Sequence, residues 1–125
     1  MSVRARLHVP ATNRVAVDID AFDSRIEEFQ HRTFHVRVWP NGSVSFYKSL
    51  TRKIDGLAFQ LGTWYDVEIA ADLARTTFYL TVADRIVQEL PFAEEAIRRV
   101  QCIGFNPNTS KCTLYLDQLS IAVDP

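Results

Sequence analysis

Cysteine, glycine, proline and methionine are all scarce in this chain, and the scarcities exclude several architectures. Two Cys in 125 residues are too few for the disulfide framework of a small secreted scaffold. Four Gly and five Pro do not make a flexible linker or a low-complexity tract. No apolar run approaches the ~20 residues that span a bilayer, and Gly-rich phosphate loops are absent. Neither sign of charge is in excess: 14 basic residues against 15 acidic ones leave a formal charge of −1. Without a long-range field to gather phosphate polymers or anionic lipid, neither nucleic acid nor a membrane is an expected partner. The opening Met-Ser-Val-Arg-Ala-Arg also lacks the apolar stretch of a signal peptide. If the domain is exported, its signal was removed or belongs to a longer parent chain.

What is present is globular. A 47% apolar share with 11% aromatic residues is enough for a hydrophobic core, and a chain of this length buries roughly two thirds of its unfolded surface. Residues 1–125 therefore read as a single domain, either whole or trimmed from a longer chain. No internal repeat interrupts it.

A period of two runs through most of the sequence and predicts strands. Val3, Ala5, Leu7 and Val9 alternate with Arg4, Arg6 and His8; after Pro10-Ala11-Thr12 the alternation resumes with Val15, Val17 and Ile19. These two runs read as a hairpin, with Arg4 opposite Asp18 on its wet face. The stretch from Ala21 to His31 breaks the pattern and reads as a loop or irregular helical turn carrying Phe22, Ile26 and Phe29. A second hairpin turns at Pro40-Asn41-Gly42, where Pro presets φ and Asn and Gly accept the positive φ that follows. With Trp39 opposite Ser43, Arg37 faces Ser45 and His35 faces Tyr47, on the side away from Phe34, Val36, Val38, Val44 and Phe46. Further strands are expected over Ile54 to Phe59, Trp64 to Ala71, Phe78 to Val82, Ile86 to Leu90, Val100 to Phe105 and Cys112 to Val123. The helical-looking stretch is short, Ala93 to Ile97. The fold class is all-β: an antiparallel β-sandwich of about ten strands with one short helical turn.

Gly62-Thr63-Trp64-Tyr65-Asp66-Val67-Glu68-Ile69, Phe78-Tyr79-Leu80-Thr81-Val82, Val100 to Phe105 and Tyr115-Leu116-Asp117-Gln118-Leu119-Ser120-Ile121 together resemble the closing strands of concanavalin A-like lectin/glucanase domains, laminin-G-like jelly rolls included. The resemblance covers Phe34 to Val123. It implies a jelly roll and carbohydrate as the substrate class, and it mildly favours an extracytoplasmic setting. Members generally run longer, with additional early strands, so this chain is a trimmed member, a fragment, or a domain that completes itself by pairing with another copy.

Candidate site residues fall into four groups. His35, Arg37, Trp39, Ser45 and Tyr47 share the wet face of the second hairpin, and a sugar site needs such a mixture: an aromatic plate for the C–H face of a pyranose, with planar donors and acceptors for its hydroxyls. The competing reading is that a loop or another subunit covers them. Asp66 and Glu68 lie at i and i+2, roughly 6 to 7 Å apart along a strand, close to the separation of glycosidase acid and base groups; alternate acids on a wet strand explain them as well. The paired-Glu signature of glucanases and the Arg, His and Tyr set of jelly-roll lyases are both missing. Asp18, Asp20 and Asp23 offer oxygen ligands of the type calcium takes, yet calcium wants six to eight and turn-forming Asp accounts for the spacing. No metal site and no other cofactor is expected. Asp117, within Leu114 to Leu119, reads as a buried carboxylate that needs a partner and acts as a structural lock. Cys102 and Cys112 flank Pro107 and can bridge if a hairpin sets them opposite each other; free thiols fit equally.

Three functions follow from these residues: a non-catalytic carbohydrate-binding module, an assembly domain that meets a partner or another copy through the same face or its strand edges, and a trimmed glycoside hydrolase using Asp66 and Glu68.

Overall fold

The computed structural model describes residues 1–22, 32–48, 50–83, 85–93, 102–107 and 113–123. Ten strands account for most of them: β1 (Ser2–His8), β2 (Val17–Phe22), β3 (Arg32–Val38), β4 (Ser43–Lys48), β5 (Leu50–Ala58), β6 (Trp64–Asp72), β7 (Thr77–Val82), β8 (Arg85–Pro91), β9 (Cys102–Pro107) and β10 (Tyr115–Ala122). They form two five-stranded antiparallel sheets, β10-β1-β6-β7-β8 and β5-β4-β3-β2-β9. No helix occurs among the described residues; the helical-looking stretch, beyond Ala93 at its start, and the segment 23–31 lie outside them. No described helix is long and apolar enough to cross a membrane.

Alternation builds the core. Val3, Ala5 and Leu7 of β1, Val67, Ile69 and Ala71 of β6, and Phe78, Leu80 and Val82 of β7 are buried from one sheet; Val17, Ile19 and Ala21 of β2, Phe34, Val36 and Val38 of β3, and Val44 of β4 are buried from the other. Phe34 and Phe78 meet across the layers with ring centroids 5.4 Å apart. Fully burying side chains of this size contributes about 1.5–3 kcal/mol each.

One expected hairpin is absent. β1 pairs with β6 and β10, while β2 pairs with β3 and β9, so the chain crosses from one sheet to the other between His8 and Val17. Strand periodicity is the same whether two strands share a ladder or face each other across a core, and both dry faces meet the same slab. Arg4 consequently pairs with Glu68 instead of Asp18. The crossing is stapled by Asn13, whose buried side chain donates from Nδ2 to the Thr113 carbonyl (2.7 Å) and accepts from the Thr113 amide (3.0 Å). The β3–β4 hairpin, by contrast, has the expected register, with Arg37 opposite Ser45 and Val38 opposite Val44.

β10 is also unlike its expectation. The ladder with β1 slips between Arg4 and Arg6, where Gln118 adopts φ 53°: Gln118 and Leu119 together oppose Ala5, a β-bulge. The bulge shifts the alternation by one. Asp117 therefore stands beside Arg6, exposed, and accepts from the Gln118 amide (2.9 Å). It is not a buried lock. Leu116, Leu119 and Ile121 remain 39%, 48% and 52% exposed.

Candidate binding face

The β3–β4 turn fixes the outer face of the second sheet. Gly42 at φ +87° packs against the Phe59 carbonyl, and its own carbonyl accepts from the Phe59 amide (2.7 Å). Asn41 Oδ1 accepts from both the amide (2.9 Å) and the hydroxyl (2.7 Å) of Ser43, an Asx-type turn. Beyond it the ladder sets Lys53, Ser45, Arg37 and Asp18 in one row across β5, β4, β3 and β2, with Thr51 opposite Tyr47 and His35 opposite Asp20 in the next.

That face has a closed half and an open half. In the closed half, Asp18 is 3% exposed and His35 7%. Arg37 grips Asp18 with two hydrogen bonds, Nε to Oδ1 at 2.7 Å and Nη2 to Oδ2 at 3.0 Å, and His35 Nε2 lies 3.2 Å from Oδ1. Burial works against the carboxylate charge, but the hydrogen bonds and charges of His35 and Arg37 outweigh it and hold the Asp18 pKa at about 2. The same pair with Asp18 raises the pKa of Arg37. The open half is a groove of about 450 Å³ lined by Trp39, Pro40, Asn41, Ser43, Ser45, Thr51 and Lys53. Trp39 is fixed there: its Nε1 donates to Ser45 Oγ (2.8 Å) and the Arg37 guanidinium sits 5.1 Å from its ring centroid.

The five residues singled out from sequence thus share one face but do different things. Trp39 lines the groove and Tyr47 is half-buried, its ring 6.3 Å from that of His35. His35 and Arg37 belong to the buried brace, and Ser45, 2% exposed, supports the indole from beneath. Thr51 and Lys53 were missed. They alternate outward on β5, yet only the pairing of β5 with β4 brings them to the Trp39 groove.

The remaining candidates lie elsewhere. Asp66 and Glu68 are on the first sheet, ion-paired across the ladder with Arg6 (3.4 Å) and Arg4 (3.1 Å), away from Trp39. Among the described residues no three His, Cys, Asp or Glu side chains gather into a metal-binding group; Asp18 is taken by Arg37, Asp20 is buried, and Asp23 lies outside the described residues. β9 and β10 belong to opposite sheets, so Cys102 and the segment before β10 do not share a hairpin ladder; Cys112 itself is outside the described residues.

Two five-stranded sheets over one core, with a crossing between them after the first strand, define a jelly-roll β-sandwich. Solved structures share it at low sequence identity. The carbohydrate binding module CBM66 from Bacillus subtilis aligns with a TM-score of 0.64 and 15% identity over 94% of this chain and 71% of that one. An ancestral congerin aligns with a TM-score of 0.65 and 11% identity over 95% and 90%. A sialidase aligns at 0.63 and 14% over 92% of this chain, which spans only 9% of the sialidase's length. No family model and no curated protein sequence matches the chain.

Proposed function

We propose that the domain is a non-catalytic carbohydrate-binding module that takes an oligo- or polysaccharide in the groove beside Trp39. The observation that carries this reading is the way Trp39 is held: its indole N–H is committed to Ser45 and Arg37 stacks against it, while the hydroxyls of Ser43 and Thr51 and the Lys53 ammonium line the same opening. A rigid aromatic wall with several hydroxyl-compatible donors and acceptors is the composition a pyranose needs. The fold shared with a carbohydrate binding module and a congerin supports the ligand class. The setting that suits such a module is outside the cytoplasm, alone or as one domain of a longer chain. The reading requires neither a metal nor a catalytic residue.

Affinity electrophoresis against a panel of soluble polysaccharides tests it. At least one polymer should retard the parent protein, and Trp39→Ala should weaken that binding about tenfold, roughly 1.4 kcal/mol, under conditions where circular dichroism shows the variant still folded. No retardation by any polymer at high micromolar protein overturns it.

One observation favours a second reading, an assembly domain. Leu116, Leu119 and Ile121 on edge strand β10, with Val123 just after it, are 39% to 76% exposed, and an apolar edge is a template for pairing with another copy. Sedimentation decides: a dimer dissociated by Leu119→Lys supports assembly, and a monomer across the concentration range removes it.

A further inference from the structure

The outer face of the first sheet carries an ordered array that the Trp39 groove does not use. Register places its side chains in rows across three strands. Tyr115, His8 and Trp64 form the first row; Asp117, Arg6 and Asp66 the second; Ser120, Arg4 and Glu68 the third, which continues to Thr81 on β7. The first row is a continuous aromatic shelf: the His8 ring lies 5.3 Å from Trp64 and 5.4 Å from Tyr115, and the Arg6 guanidinium sits 5.4 Å from the Trp64 centroid. Both ends of the shelf are open to solvent, Trp64 at 42% and Tyr115 at 53% exposure. The rows behind it wall a trough of about 400 Å³ lined by Arg4, Arg6, Asp66, Glu68, Thr81, Gln118 and Ser120, among others. From His8 to Arg4 the face extends about 13 Å along the strand.

We infer that this aromatic shelf and the trough behind it form a second glycan-binding surface, on the sheet opposite Trp39, selective for neutral oligosaccharides. Large aromatic side chains left uncovered on a rigid sheet offer extensive contact area at little conformational cost on binding, and because the His8 plane is inclined by 55° to Trp64 and by 70° to Tyr115, the outer two rings present separate surfaces on which successive sugar rings can pack. The cross-strand pairs Arg4–Glu68 and Arg6–Asp66 hold planar polar groups in place at 3.1 and 3.4 Å, where guanidinium N–H groups donate to ring hydroxyls and carboxylate oxygens accept from them. Across the three rows two guanidinium groups, Arg4 and Arg6, stand against three carboxylates, Asp66, Glu68 and Asp117, so the face is net negative and repels a uronate or sialylated chain but not a neutral one. The β10 bulge contributes directly: the extra residue brings Gln118, an amide donor and acceptor, onto the lining. Two surfaces on opposite sheets let one domain bridge two chains of a polysaccharide or two points on one chain, which raises avidity without new contacts.

The inference borrows only the ligand class from the proposed function, so variants of each surface are compared on the full-length chain. The probes are neutral polysaccharides and their short oligomers, with a uronic-acid polymer alongside; the readouts are gel retardation and the indole and amide NMR shifts of the titrated protein. Trp64→Ala and, independently, Tyr115→Ala should weaken retention at least several-fold while melting temperatures hold, and Trp39→Ala should still show shifts at His8, Trp64 and Tyr115. Retention unchanged in both Trp64→Ala and Tyr115→Ala, with loss confined to Trp39→Ala, overturns the second surface and leaves the first. Loss confined to the Trp64 and Tyr115 variants keeps the second surface and overturns the Trp39 groove. Equal affinity for the uronic-acid polymer overturns the neutral selectivity, and a parent protein that binds no polymer overturns both surfaces.

Discussion

Arg37 clasps Asp18 across the β2–β3 ladder through two hydrogen bonds of 2.7 and 3.0 Å, and the same guanidinium stacks on Trp39. The stability of the sheet and the posture of the groove tryptophan thus pass through one side chain. Removing one member of a buried ion pair leaves the other charged and unsatisfied, at a cost of about 3–5 kcal/mol. Asp18→Ala should therefore destabilise the domain by about 3 kcal/mol in urea unfolding and change the Trp39 near-ultraviolet dichroism. Arg37→Lys should perturb the same signal, because an ammonium makes neither the fork nor the stack. Unfolding parameters equal to those of the parent in Asp18→Ala would show that the clasp is ornamental.

Acid should act on the same carboxylate. Its pKa is about 2 in the folded chain against 3.8 for an ordinary aspartate, so the unfolded state binds the proton more readily. The stabilisation is fully present above about pH 4, falls as the pH drops, and is gone below about 2; integrated, it is about 2 kcal/mol. Urea midpoints measured between pH 5 and 2 should decline, and Asp18→Asn should flatten that part of the decline. An undiminished slope in Asp18→Asn would assign the acid sensitivity to other groups.

The sheet pattern was legible wherever the side-chain period alone decides it. Val36, Val38 and Val44 on one face and Arg37 and Ser45 on the other follow from alternation plus the Pro40-Asn41-Gly42 turn, and the register is as expected. Which strand lies beside which is a different question, settled by loop path and sheet packing. The alternating runs around Leu7 and Val17 fit a hairpin or a crossing equally, and the crossing prevails because both dry faces then meet one core. The aromatic shelf was hidden for the same reason: His8 alternates with the apolar residues of its own run, but its adjacency to Trp64 and Tyr115 depends on β1 lying between β6 and β10. Asp117 was misread because a single residue at φ 53° resets the period, and nothing in Leu-Asp-Gln-Leu announces a bulge.

Gly42 offers a sharper test of the hairpin than any contact residue. Its φ is +87°, and a Cβ built there would collide with the Phe59 carbonyl oxygen, so Gly42→Ala combines a left-handed backbone with a clash against the main chain. Left-handed strain alone costs of order 1–3 kcal/mol for a non-glycine residue, and the clash adds to it. Gly62, at φ +84° with open space where a Cβ would go, is the control that carries the strain alone. Thermal unfolding should show Gly42→Ala clearly less stable than Gly62→Ala, with groove binding lost before the fold; equal losses would mean that the backbone at Phe59 yields around the added methyl.

The β10 bulge reverses an intuition about Asp117. A carboxylate within an apolar strand invites the expectation that its removal is costly, yet this one is exposed and, among the described residues, bonded locally to the Gln118 amide, beside an Arg6 already paired with Asp66. Surface changes of that type are usually within about ±0.5 kcal/mol, so Asp117→Ala should leave the unfolding midpoint nearly where it is. The sensitive position is its neighbour. Gln118 holds a left-handed φ, which glycine adopts freely and β-branched residues resist; Gln118→Gly should be neutral or stabilising, while Gln118→Val should cost about 1–2 kcal/mol. Should Asp117→Ala instead prove the more damaging of these substitutions, the bulge is misplaced and the carboxylate is buried after all, and with that Gln118 would leave the trough wall on which the neutral-glycan surface relies.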